Sequence, residues 1–559
     1  MKKLPSGISD FEKLITNNYY YVDKTEYIEK LENYPNPNIM FLRPRKFGKT
    51  LFTSTLENYY DIKKSDKFDK VFNETYIGKN PTKLKNSYHI LKFNFSGIDT
   101  SSIESTMKEF KNSVELSINS FVKKYELDFY INPELSAEGL LGSVFEAFKF
   151  QKPDEKIYVI IDEYDHFANE LLGFNVDGFK DLVSKNGKVR KWYEILKKGT
   201  ESVVDRIFIT GVAPITLDGM TSGFNIVADI TKDVRFNEMM GFTKEELVEM
   251  MEKQEITHEK IDELLPIMKE NYDGYRFSLD AEEKMYNSNM VLYFLNQYIG
   301  IGKIPTELVD VNIASDYAKI GKMLNLCKGE KRLEILKTTV SGEGVLTKIT
   351  EKFNPEVGFG DGEMASMLFY LGYLTIEKEE FGSANLVIPN KMMREIYSEY
   401  FLKIMDEELN LESDVNYSIL TRDIAKEGVI DGIINLLKVY LNNLSNRDYQ
   451  RFDEKYIKLI FYCITMNLTG YFIKSEMEVK RKYPDILLVP REPSRGYYAV
   501  MIEFKYLKKD EASKLEEKRQ EAKSQIEEYS SFEEIKAISN LRRYTVIAVN
   551  DEVYVDEIF

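Results

Sequence analysis

One passage constrains this chain more than any other: the apolar run Ile39-Met40-Phe41-Leu42 stops at Arg43-Pro44 and passes through a short polar loop into a helix-like segment, 51–60. The loop, Arg43-Pro44-Arg45-Lys46-Phe47-Gly48-Lys49-Thr50, matches the end of G-x-x-x-x-G-K-[ST] in the strand-to-helix setting that motif requires. N–H groups at a helix start can surround a polyphosphate, Lys49 can reach its β and γ groups, and the Thr50 hydroxyl can ligate magnesium. Arg45, Lys46, Phe47, Gly48, Lys49 and Thr50 are therefore the candidate contacts to ATP and Mg²⁺. Arg43 stands where the motif has its first glycine, and with Arg45, Arg235 and Arg276 it is a candidate for charge compensation at the phosphates.

A second strand strengthens the reading. Tyr158-Val159-Ile160-Ile161 ends in Asp162-Glu163, so that Asp162 can hold the magnesium shell and Glu163 can orient an attacking water. A third, 206–211, brings Thr210 to a strand end, where its hydroxyl either senses the γ-phosphate or closes a core strand. With a further strand at 89–95 and a helical pattern at 103–125 between them, strands alternate with helices, which predicts a mostly parallel sheet covered on both faces.

Beyond about residue 235 the pattern turns helical. Thr243 and Glu246 form a capping box ahead of a helix at 244–253, read as the start of a lid. A winged-helix-like connector is expected over 301–410, from a hairpin at 374–388 and a helix at 391–405. Two apolar helices, 429–441 and 454–468, lead into a last block of strands and one highly charged helix, 508–528, read as a solvated face.

That last block holds another constellation. Asp485 opens one strand, and the next contains Glu503-Phe504-Lys505, whose period-two alternation puts Glu503 and Lys505 on one face. Paired strands would bring Asp485 to Glu503, two oxygen donors for a hard cation with an ammonium beside them, an arrangement suited to phosphodiester hydrolysis. Glu478 is a further carboxylate candidate, and Gln525 and Tyr529 on the following helix either face the site or pack.

Bulk properties exclude some classes. Acidic residues exceed basic ones by 92 − 76 = 16, so the whole molecule lacks the basic footprint of a general nucleic-acid coat protein. Cys327 and Cys463 offer neither a disulfide framework nor a zinc signature and read as buried thiols. With no secretory h-region and no stretch of roughly 18 apolar residues, a cytoplasmic protein without a membrane span is expected.

Taken in order, these motifs resemble prokaryotic proteins that join an AAA-ATPase-like domain to a C-terminal PD-(D/E)XK nuclease-superfamily domain. The likeness extends to Pro5-Ser6-Gly7, Tyr21-Val22-Asp23-Lys24-Thr25, Thr210-Gly211-Val212-Ala213-Pro214, Gly241-Phe242-Thr243, Tyr272-Asp273-Gly274-Tyr275-Arg276-Phe277 and Gly372-Tyr373-Leu374-Thr375. It implies an α/β chain: a P-loop NTPase (AAA+/ASCE-like) parallel sheet over 1–235, a helical lid over 236–300, the winged-helix-like connector over 301–410, and a restriction-endonuclease-like α/β domain over 411–559. It also implies ATP binding through Lys49 and Thr50, magnesium and water handling through Asp162 and Glu163, and a metal-dependent site of Asp485, Glu503 and Lys505 acting on DNA or RNA. Such ATPases often assemble into oligomers, although no coiled coil marks an interface here. One departure stands out: Lys480-Arg481-Lys482-Tyr483-Pro484 replaces the family's glycine-rich approach to the aspartate. Two functions therefore remain open, an ATPase coupled to a nuclease, or a regulatory or scaffold ATPase whose nuclease-like domain is a degenerate binding module.

Overall fold

The computed structural model describes residues 2–172, 187–214, 224–305, 307–309, 320–324, 330–351, 353, 360–411, 415–444, 454–475 and 483–559. These form two compact units, one of residues 1–328 and 345–390 and the other of 329–344 and 391–559. The stretch read as a connector, 301–410, is divided between them.

In the first unit, β1 (Asn38–Leu42), β2 (His89–Asn94), β3 (Ile157–Asp162), β4 (Val204–Gly211) and the short β5 (Ala228–Asp229) make a parallel sheet in the order β2-β3-β4-β1-β5. Every residue of β1 and β3 is buried, as expected of strands covered on both faces. Helix α1 (Lys49–Tyr60) begins two residues earlier than the sequence suggests, because Gly48 takes a left-handed φ of 93° and lets the chain turn directly from loop to helix. Helices α2 (Ile103–Tyr125), α3 (Ala137–Gln151) and α4 (Lys188–Gly199) supply covering layers, and the single tryptophan, Trp192 of α4, is fully buried against Phe93, Phe95 and Phe110. Both halves of the Thr243–Glu246 capping box are made at the start of α5 (Lys244–Lys253). α6 (His258–Tyr272) and α7 (Ser288–Ile301) follow. Later come β6 (Val345–Thr347), α8 (Asp361–Tyr370), β7 (Thr375–Glu380) and β8 (Ser383–Val387), the strands forming a small antiparallel sheet in the order β6-β8-β7 that includes the expected hairpin.

The second unit contains α9 (Lys391–Leu409), α10 (Asp431–Asn443), α11 (Glu454–Met466) and α12 (Leu515–Ser530) with a mixed sheet. Its strands, β9 (Tyr471–Lys474), β10 (Ile486–Pro490), β11 (Ala499–Leu507), β12 (Leu541–Val549) and β13 (Glu552–Glu557), lie in sequence order, with β11 and β12 parallel and the other neighbours antiparallel. The charged run at 508–528 divides into a 3-10 turn, Lys509–Lys514, and α12, which keeps Ala522, Ile526 and Tyr529 inward and its charges outward. α11 stacks Phe461 on Phe504 of β11, their centroids 5.2 Å apart. Cys463 is fully buried, and burial pushes its thiol up to about 12; Cys327 lies outside the described residues. Among the described residues, no helix is long and apolar enough to cross a membrane.

Candidate active sites

The first site sits where β1, β3 and β4 end. Arg45, Lys46, Phe47, Gly48, Lys49, Thr50 and Glu163 all line one cavity of about 400 Å³. Lys49 is buried, and its ammonium donates to the carbonyls of Arg43 and Pro44, each at 2.9 Å. Burial pulls its pKa down to about 8, opposed by the negative charges of Asp165, Glu163 and Asp162. Asp162 lies behind the cavity, fully buried, with no hydrogen-bond partner on either carboxylate oxygen. Burial raises its pKa, while the Thr50 hydroxyl, near enough to lower it without a hydrogen bond of normal geometry, and the Lys49 ammonium act the other way. Such an orphaned carboxylate beside a hydroxyl suits Mg²⁺, which takes few protein oxygens and completes its shell with water and phosphate. Glu163 adopts a positive φ of 52°, an uncommon conformation for a non-glycine residue and one that clusters at functional sites.

Residues of the stretch 241–288 brace the loop. The Ser288 hydroxyl donates to the Lys46 carbonyl at 3.1 Å, and the Gly241 N–H donates to the Phe47 carbonyl at 3.3 Å. A Cβ at Gly241 would lie 3.1 Å from the Phe47 ring, so glycine there permits the close approach as well as the φ of 88°. The Phe47 ring packs edge-on to Tyr275 and Phe277.

Several sequence expectations change here. Arg43 does not line the cavity: its guanidinium is buried, donating to the carbonyls of Leu42, Thr231, Phe236 and Asn237 and lying 4.0 and 4.1 Å from the ring centroids of Phe41 and Phe277. A planar, multi-donor group can join several carbonyls at once, and that requirement prevails over its nearness in sequence to the loop. Arg235 pairs with Asp233, and Arg276 donates to the carbonyls of Ser278, Leu279 and Glu377; both serve local structure. The Thr210 hydroxyl donates to the Phe41 carbonyl at 2.9 Å and is absent from the cavity lining, the geometry of a core strand end. The cavity also takes in residues not anticipated for it: Pro5, Gly7 and Ile8, Tyr20 to Val22, and Asp165 with Asn169. Asp165 accepts from the N–H groups of Val212 and Ala213 and from the Asn169 amide, fixing the turn after β4. Its position three residues beyond Asp162 was the available signal.

The second site lies where the start of β10 meets the middle of β11. Ile486 pairs with Ile502, which brings Asp485 opposite Glu503. Asp485 accepts the Phe504 N–H at 2.8 Å, and Glu503 accepts the Lys505 ammonium at 2.8 Å, so the alternation argument places these three side chains together. Burial first, then the charge of Asp485, push the Glu503 carboxyl up to about 7. Lys505 also lies 3.8 Å from Glu521 on α12. Lys458 on α11 was not anticipated; it donates to Asp485 at 3.0 Å. Two adjacent carboxylates fit a hard cation that keeps several waters, although no group of three or more ligating residues occurs among the described residues. Tyr529 packs in the core with Leu487, Met501 and Ile526, whereas the Gln525 carbonyl is buried without a partner. Glu478 and 480–482 lie outside the described residues; Tyr483 belongs to the same core cluster.

Comparison with known proteins agrees with this division. Residues 5–221 match the family described as predicted AAA-ATPase, and residues 452–557 match the PD-(D/E)XK nuclease superfamily. An uncharacterized protein in the vnfD 5′ region of Azotobacter chroococcum mcd 1 is 24% identical over 337 residues, an alignment covering 56% of each chain.

Proposed function

Because this chain joins an AAA-ATPase-like domain to a PD-(D/E)XK nuclease-superfamily domain, we propose that it binds and hydrolyses ATP at the first site and cleaves nucleic-acid phosphodiesters at the second. The observation carrying the proposal is that each domain gathers opposite charges at one place on its own sheet, Lys49 with Asp162 and Glu163, and Lys505 with Asp485 and Glu503. At the first site Lys49 would exchange its two carbonyl partners for phosphate oxygens, and Glu163 would orient water. Thr50 and Asp162 would hold Mg²⁺ there, and Asp485 and Glu503 would hold a divalent cation at the second site. A bound cation supplies Lewis-acid polarisation and makes a coordinated water more acidic. Lys505 would position the scissile phosphate, and its hydrogen bond keeps the Glu503 carboxylate oriented.

The test is cleavage of DNA and RNA by the purified full chain with Mg²⁺ or Mn²⁺, with and without ATP. Asp485→Ala should lower cleavage by at least about a hundredfold, since it removes a group holding the metal. Nucleic acid bound without cutting under every metal and nucleotide condition would replace the nuclease with the binding-module reading.

A further inference from the structure

The proposed metal site already contains its own positive charge. Lys458 comes from α11, which packs on the Phe504 face of β11; Glu521 comes from α12 and approaches Lys505. Asp485 therefore meets an ammonium from outside the strand motif, with Lys458 Nζ 3.0 Å from Oδ1 while the Phe504 N–H holds Oδ2 at 2.8 Å. Glu503 is held in turn by Lys505 at 2.8 Å. Each of the two carboxylates thus has an ammonium at hydrogen-bonding distance.

A divalent cation entering this cluster meets two carboxylates that each already engage an ammonium. Lys505 belongs to the strand motif and has a role beside the metal, whereas Lys458 occupies an oxygen of Asp485 that a metal would need. Its side chain is 24% exposed, so it has a way out toward solvent. We infer that Lys458 is a resident counter-ion that competes with the divalent cation for Asp485, a positioning residue that keeps the carboxylate in place and sets a threshold for metal entry. The inference rests on the reading of Asp485 and Glu503 as metal ligands.

The experiment is Mn²⁺ binding to the full-length protein without nucleotide, followed by electron paramagnetic resonance of the free ion and by calorimetry. It compares wild type, Asp485→Ala, Lys458→Met, Lys458→Arg and the double variant Lys458→Met/Asp485→Ala. Lys458→Met removes the charge and keeps most of the chain length; it should bind Mn²⁺ about tenfold more tightly at a site lost in the double variant. Lys458→Arg retains the charge and should stay near the wild-type affinity. Circular dichroism confirms that each variant is folded, and a misfolded Lys458→Met is replaced by Lys458→Gln with the same expectation.

An Asp485-dependent site whose affinity changes less than about threefold in the neutral variant would overturn the counter-ion role while leaving the metal-site reading intact. Equal tightening in Lys458→Arg would also overturn it, because charge would not be the cause. Absence of Asp485-dependent binding in wild type and Lys458→Met alike would remove both readings.

Discussion

The two sites handle buried charge in opposite ways. At the phosphate loop a buried ammonium is held only by backbone carbonyls, and a buried carboxylate nearby has no hydrogen-bond partner. Beside β11, Asp485 and Glu503 each have an ammonium at hydrogen-bonding distance. Leaving a charged group incompletely satisfied costs several kcal/mol in a dry interior, so such a site gains most from a ligand carrying both signs, as a metal-bound triphosphate does. A site whose carboxylates already engage ammoniums must rearrange before it accepts a cation. The difference implies a first site poised for its ligand and a second that is held in check by its own side chains.

The strongest way to break this contrast is Glu163→Gln. If the first site turns over ATP, this substitution should leave nucleotide occupancy within a few-fold of wild type and slow hydrolysis by about 10²–10³, read from phosphate release against equilibrium binding. Unchanged turnover would make that domain a nucleotide-locked switch.

The pH dependence of ATP affinity sharpens the contrast further. Phosphate binds the ammonium form of Lys49, whose pKa burial has lowered from 10.5 to about 8. Above that value the free protein must take up a proton to bind, so the Kd should be flat below about pH 8 and weaken by up to about tenfold per unit above it. Titration calorimetry in two buffers of different ionisation enthalpy would detect the proton uptake. Lys49→Met should bind weakly and lose the slope; a wild-type Kd flat to pH 10 would mean that Lys49 is well solvated.

Next comes Arg43→Gly, which restores the glycine of the standard motif. Losing a buried guanidinium with four carbonyl partners and two flanking rings should cost about 2–4 kcal/mol, a drop of several degrees in the unfolding midpoint of the first unit. The same midpoint with ATP affinity reduced tenfold would return Arg43 to the phosphates.

Arg43 also shows where the sequence ceases to be legible. Strand, loop and helix could be read around it because the apolar run and the Gly48-Lys49-Thr50 motif are local properties. Its partners Thr231, Phe236 and Phe277 are distant in sequence, and only tertiary packing determines that an arginine beside a phosphate loop points to them. The meeting of Asp485, Glu503 and Lys505 was readable because alternation and pairing of neighbouring strands suffice. Lys458 was not, since nothing in the pattern of α11 says which of its polar residues reaches a strand end 27 residues later. Likewise, the chain before β1 carries no phosphate motif, yet Pro5, Gly7 and Tyr20 to Val22 wall the same cavity as the loop 45–50, a matter of long-range packing alone.

The smallest expected effect tests charge compensation at the second site without any activity. Burial and Asp485 raise the Glu503 carboxyl from 4.5 to about 7, so between these values the folded state keeps a proton that the unfolded chain has released. A raised folded-state pKa gives stability that is complete below 4.5 and is lost as pH rises through about 7. In EDTA, the midpoint of wild type relative to Glu503→Gln should therefore fall by a few degrees from about pH 5 to pH 8. Excess Mg²⁺ should reverse the trend, because the metal binds the ionised carboxylate and stabilises the fold by mass action. If the difference is flat across that window, Lys505 is keeping Glu503 ionised throughout, compensation by the ammoniums is complete, and metal entry depends on displacing lysine without any help from releasing a proton.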